Sequence, residues 1–208
     1  MVAIKEMPVK EKYALLLATI KQDSFTADYI EKNLGKQALT EYEEACRKVS
    51  KPVPEDAADK EKYEIAYGNW ISTGGIAFDF IRKRAGEEGL KKYIKADVEE
   101  IKRANAGPAL FLLKLIKTFS PGTAFLMMAR RMVYQLQWIT DYSVSELSRN
   151  KVIMEIPHCK VLDFPGGELS CAIGCQKIYE IWLAEQFRLE MKTRRKDSSC
   201  TFSIAPLK

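Results

Sequence analysis

Histidine is almost missing from this 208-residue chain; the single copy is His158. That excludes metal centres built from several imidazoles and any mechanism that needs two of them. Long apolar runs are lacking too. The most apolar window, 109–129, is interrupted by Lys114, Lys117 and Pro121-Gly122, so no membrane-spanning helix is expected. Residues 1–12 are charged and carry no apolar stretch, which predicts no secretory signal. No internal repeat or low-complexity segment is evident. A nucleic-acid-binding stripe is not expected either. The net charge is +5, and basic pairs such as Arg130-Arg131 and Arg194-Arg195 are scattered among 28 acids.

What is present is an ordinary globular composition, 47% hydrophobic and 29% charged, in a chain long enough for a substantial core. The five cysteines are an odd count with no secretory context. They point to a reducing cytoplasm, where cysteines serve as core residues, metal ligands or reactive thiols.

The first two-thirds reads as helices. Residues 9–21 place Tyr13, Leu16, Leu17 and Ile20 on one face. A short helix ends at Gly35, and 36–49 continues with Cys46 in its apolar stripe. The segment 51–59 (K-P-V-P-E-D-A-A-D) is a linker, and suggests a helical arm over 1–50 and a main body over 60–208. A helix opens near Asp59, and Thr73-Gly74-Gly75 interrupts or bends it. Those glycines suit close helix packing, or less completely an anion site, since no strand precedes them. Further helices are expected over 90–105, over 109–118 as a buried helix, and from Ser120-Pro121 onwards. In the last of these, Phe125, Met128, Met132, Leu136 and Ile139 share a face. Such a stripe is core or the wall of an apolar ligand pocket, with Trp182 of a later helix opposite.

Chemistry concentrates in 151–206, which holds His158 and four of the five cysteines. The pattern is strand (151–156), turn at Pro165-Gly166-Gly167, helix from an N-cap at Ser170 through 187, strand (189–193), turn (196–199) and strand (200–204). Cys171 and Cys175 are four apart and share a helix face, with Cys171 in a first turn that favours a thiolate. Cys159 and Cys200 lie on flanking strand candidates, so three or four thiolates can converge on zinc or an iron centre. Alternatively one of Cys159, Cys171 and Cys175 is a nucleophile, with a carboxylate or His158 moving protons. His158 and Cys159 are neighbours on a strand pattern and face opposite ways, which argues against their pairing directly.

Cys159, the run Ser170-Cys171-Ala172-Ile173-Gly174-Cys175, and Cys200-Thr201-Phe202-Ser203-Ile204 resemble the L-2-amino-thiazoline-4-carboxylic acid hydrolase-like proteins and the related vinyl reductase domain of phenol-sensing regulators. The resemblance covers about a quarter of the chain. It implies an α+β body, helices over a small antiparallel sheet, with a pocket for a small organic molecule. The hydrolase version implies opening of a thiazoline-type ring by water. The sensor version implies zinc; its ligand positions fall on Cys171, Glu190 and Cys200, and the fourth falls on Thr193, so Cys175 or Cys159 would complete the set.

The sequence thus predicts a cytoplasmic α+β protein for a small organic molecule, and is compatible with bound zinc and a homodimer. Two functions follow from it, beside a third reading as a helical interaction scaffold that docks through the arm from Val9 to Val49. One is a hydrolase using Cys159, Cys175 and His158. The other is a non-catalytic binding or sensor module around Phe125, Met128, Met132 and Trp182, with cysteines structural or metal-bound.

Overall fold

The computed structural model describes residues 2–22 and 24–207. In chain order the elements are α1 (Val9–Gln22), α2 (Ser24–Leu34), α3 (Lys36–Val49), α4 (Asp59–Ala104), α5 (Pro108–Phe119) and α6 (Pro121–Gln135). Then come β1 (Ser143–Leu147), β2 (Val152–Ile156), the helical stretch 167–187 (α7), β3 (Leu189–Lys196) and β4 (Ser199–Pro206). The class is α+β, as the sequence predicts. The chain divides into two compact units, one of 1–7, 101–160 and 179–208, the other of 8–100 and 161–178. The linker 51–59 lies inside the second of these, so the division does not follow the arm and body read from the sequence.

In the unit formed by 8–100 and 161–178, Asn69 ties the start of the linker and Lys62 donates to the Glu55 carbonyl within it. The Asn69 amide accepts from the Lys51 N–H and donates to the Lys51 carbonyl, both at 2.8 Å. Helix α4 departs from expectation at two places. It runs unbroken through Thr73-Gly74-Gly75, and it breaks at Gly86, whose φ of 67° is the left-handed region that glycine adopts without strain. Gly75 is there for close approach. A Cβ at Gly75 would lie 2.5 Å from the backbone of Gly166, which itself has φ 79° and precedes α7. The buried Ser170 hydroxyl donates to the Ile71 carbonyl at 2.9 Å beside this contact. Of the two readings of the glycine pair, close packing is the one this geometry carries. Phe25, Tyr29 and Phe78 gather around Tyr93, whose hydroxyl bonds with Thr26 at 2.8 Å.

The other unit is built on the sheet, ordered β1-β2-β4-β3 and antiparallel throughout. Register sets its faces. Val152 and Met191 both sit opposite Ile204, and Met154 sits opposite both Phe202 and Val144. This face is covered by Phe125, Ala129 and Val133, spaced four apart on α6, and by Leu183 of α7. Strand β1 was not expected. A bulge between Val144 and Glu146 breaks its alternation, leaving too short a period-two pattern to read. The N-terminal segment lies along it: the Val2 N–H donates to the Val144 carbonyl at 2.9 Å. Gln137 clamps the same segment, accepting from the Met7 N–H and donating to the Lys5 carbonyl.

Candidate functional site

The cysteines are not placed where sequence spacing puts them. Ser170 does not cap a helix; it is already helical, and the helix starts at Gly167 behind Gly166. Cys171 is therefore the fifth helical residue, past the turn where the dipole acts most strongly. The turns that carry Cys171 and Cys175 are not α-helical either. Ser170–Ile178 and Leu183–Phe187 are π-helical, with Tyr179–Trp182 α-helical between them. Wider turns change which residue lies over which. The Gln176 side chain, five residues on, donates to the Cys171 sulfur at 3.6 Å. Cys171 is buried and Cys175 half-buried.

His158 and Cys159 are on a loop after β2, not on a strand. They do face apart: Cys159 is buried and His158 exposed. The loop is tied by the Cys159 N–H donating to the Ser198 carbonyl at 2.8 Å and by Thr140, whose hydroxyl meets the His158 carbonyl and the Lys160 N–H. Cys200 is buried on β4, opposite Ile156 on one side and Arg195 on the other. None of the five cysteines, all described, is in a disulfide.

A shared metal does not fit the residues the resemblance points to. Glu190 pairs with Ala205, whereas Cys200 pairs with Arg195, five positions further along the same hairpin. At about 3.4 Å per residue that is roughly 17 Å, and an odd offset puts the two side chains on opposite faces. Ligands of one zinc have donor atoms within about 4 Å of each other. Among the described residues, no group of three or more His, Cys, Asp and Glu is placed to hold a metal ion.

Phe125, Met128, Met132 and Trp182 come together, as core. Phe125 is buried in the sheet's apolar cluster, and the other three pack against it partly buried. Trp182 stacks edge-on with both Tyr179 and Phe187, and its indole N–H donates to Gln186.

A cavity of about 320 Å³ lies elsewhere, wholly within the unit formed by 8–100 and 161–178. Helix α1 contributes Tyr13, Leu17 and Ile20, and the linker contributes Val53. The first half of α4 supplies Ala66, Asn69, Trp70 and Thr73, so a helical period of three to four brings them to one side. The polar groups among these serve the fold. Asn69 is spent on Lys51, and the Thr73 hydroxyl donates back to the Asn69 carbonyl at 2.9 Å. The walls are left apolar, with Leu17 and Ile20 exposed at the rim. None of the lining residues is a thiol, an imidazole or a carboxylate. The sequence offered one clue, the α1 stripe of Tyr13, Leu16, Leu17 and Ile20. Leu16 is fully buried, and its neighbours on the stripe form the cavity wall.

Cys46 and Asp79 have shifted pKa values elsewhere in this unit. Burial pushes the Cys46 thiol above its ordinary value, a hydrogen bond with Tyr42 opposing and the nearby Glu43 adding to the rise. Asp79 is held below the usual carboxylate value chiefly by its hydrogen bond from Lys83; desolvation opposes this, and the smaller contribution of Arg82 adds to the lowering.

No protein-family model matches the chain, and neither a curated protein nor a solved structure matches it. No described helix is long and apolar enough to cross a membrane.

Proposed function

We propose that this chain is a non-catalytic binding protein for a small, largely apolar organic molecule, held between α1, the 51–59 linker and the first half of α4. The observation that carries the reading is the apolar cavity of about 320 Å³ lined by Tyr13, Leu17, Val53 and Trp70. That volume falls at the lower end of the about 300–1,000 Å³ typical of ligand sites, and aromatic walls with few polar groups are their usual composition. Ring-opening hydrolysis needs a nucleophile and a proton carrier in the same pocket. The lining residues include no thiol, imidazole or carboxylate, which favours binding over turnover.

Ligand-observed NMR with a panel of small neutral cyclic compounds, thiazolines included, tests the reading. Compounds should bind the wild type and lose binding in the rim variant Leu17→Gln/Ile20→Gln, while prolonged incubation yields no ring-opened product. Binding that ignores the rim variant refutes the site. Turnover abolished by Cys159→Ser or Cys175→Ser would restore the hydrolase.

A further inference from the structure

Helix α5 was expected to be buried, yet its apolar face is turned out. Phe111 is 72% exposed, Leu112 54%, Leu115 48% and Phe119 82%. Successive residues on an α-helix are about 100° apart, so these four fall within a stripe about 100° wide. Helix α6, which follows across the single residue Ser120, leaves Met127 48% exposed. Soluble chains rarely leave contiguous aromatic and leucine surface uncovered without an occupant.

Charge identifies the occupant. Residues 101–140 hold Lys102, Arg103, Lys114, Lys117, Arg130 and Arg131 and no aspartate or glutamate. The whole chain has 33 basic and 28 acidic residues, so outside this stretch the count is 27 to 28. The segment that carries the apolar stripe therefore also carries the chain's excess of positive charge. Lys102 is paired with Glu185 at 2.9 Å, whereas Arg130 and Arg131 are exposed one turn beyond Met127. A second copy of this surface is disfavoured as the occupant, because a symmetric contact would oppose like charges without an acid to separate them.

We propose that α5 and α6 dock on an anionic phospholipid bilayer, with α5 in the plane of the interface, Phe111, Leu115 and Phe119 among the acyl chains and the arginines at the headgroups. An apolar face of Phe and Leu flanked by basic residues is the composition of helices that lie in an interface without spanning it. Each basic residue near such a surface adds about 1 kcal/mol. The proposal does not depend on the cavity reading, since α5 and α6 belong to the other unit.

The test is flotation of the full-length protein with phosphatidylcholine vesicles, with and without phosphatidylserine, at low and high salt. Wild type should float only with the phosphatidylserine vesicles, and less so at high salt. Phe111→Ser/Phe119→Ser should weaken partition by at least about ten-fold. Arg130→Gln/Arg131→Gln should weaken it by about ten-fold and flatten the salt dependence. Both pairs are exposed, so circular dichroism and the urea midpoint should stay at wild-type values, separating lost docking from lost folding. Equal flotation with neutral vesicles, or variants that float like wild type, would overturn the proposal. So would no flotation at all, which leaves an acidic protein surface as the occupant. A dimer in light scattering that Phe111→Ser/Phe119→Ser abolishes would overturn it in favour of a second copy.

Discussion

Adjacent glycines in α4 should respond to the same substitution with opposite signs. At Gly74 an added Cβ would meet nothing nearer than the Ser170 hydroxyl oxygen at 3.5 Å, an ordinary contact. Alanine there gains the helix preference over glycine, worth about 1 kcal/mol. At Gly75 the same methyl would lie 2.5 Å from the Gly166 Cα and carbonyl oxygen. The two backbones must then part by about 0.9 Å to reach a normal contact, and neither has a rotamer to yield. Gly166 is at φ 79° and immediately precedes α7, and the nearby Ser170 hydroxyl is fixed to Ile71, so the displacement spreads. Overpacking of this kind costs about 1–3 kcal/mol, and the upper end applies where backbone meets backbone. After the helix gain is subtracted, Gly75→Ala should lose about 2 kcal/mol and Gly74→Ala should gain up to about 1. Urea unfolding followed by circular dichroism measures both. Gly68→Ala gives an intermediate case, because its methyl meets the Phe164 ring at 2.6 Å and a side chain can swing away. Equal midpoints for Gly74→Ala and Gly75→Ala would refute the backbone approach.

Three further outcomes follow from buried or shifted groups. The Tyr142 hydroxyl is buried with no hydrogen-bond partner among the described residues, and burial pushes its pKa well above the usual tyrosine value. Tyr142→Phe should therefore stabilise by about 1 kcal/mol, and a loss of stability in urea unfolding would mean that the hydroxyl is satisfied. Because the Cys46 thiolate is disfavoured, alkylation at this position, followed by peptide mass spectrometry across pH, should rise later than for a model thiol; labelling that saturates at lower pH contradicts the burial argument. Asp79 has a lowered folded-state pKa, so its contribution is present above the ordinary value of 3.8 and is lost as pH falls through the lower folded one. Asp79→Asn should flatten that acid limb of stability, and an unchanged limb would show that the exposed Lys83 and Arg82 pairs contribute nothing.

Much of the architecture was legible because local rules decided it. Gly35 closes α2, Ser120-Pro121 opens α6, and the alternation of Leu189 and Met191 marks β3 with its inner face. The failures are those of local reading. Thr73-Gly74-Gly75 looks like an interruption in one dimension, and only the return of Gly166 explains why small residues stand in mid-helix. A period of 3.6 does not distinguish α from π turns over nine residues, so Cys171 was stacked over Cys175 when Gln176 is the residue that reaches its sulfur. Helix α5 is apolar on nearly every side, which says that it buries something without saying which side remains open.

The cysteines drew attention because chemistry is written in residue types, whereas these two sites are written in shape. A buried thiol packs as a small hydrophobe, and Cys159, Cys171 and Cys200 are all buried. Holding Phe119 at 82% exposure and Leu17 at 45% has a different meaning. Full burial of such a side chain is worth roughly 1.5–3 kcal/mol, of which Phe119 forgoes most and Leu17 about half. A chain that hides its thiols and leaves leucine and phenylalanine in water has its uncovered free energy at the α1 rim and along α5. Burial by something outside the chain is the process that can recover it. On the two proposals, the partly open apolar cavity suits a small molecule at the rim, and the basic residues of the α5–α6 segment suit an anionic, broad partner along α5. On this argument, apolar-to-polar changes at Leu17 and at Phe119 should each abolish one binding event and leave the other intact. Loss of both from either substitution would mean that a single surface, not two, carries the function.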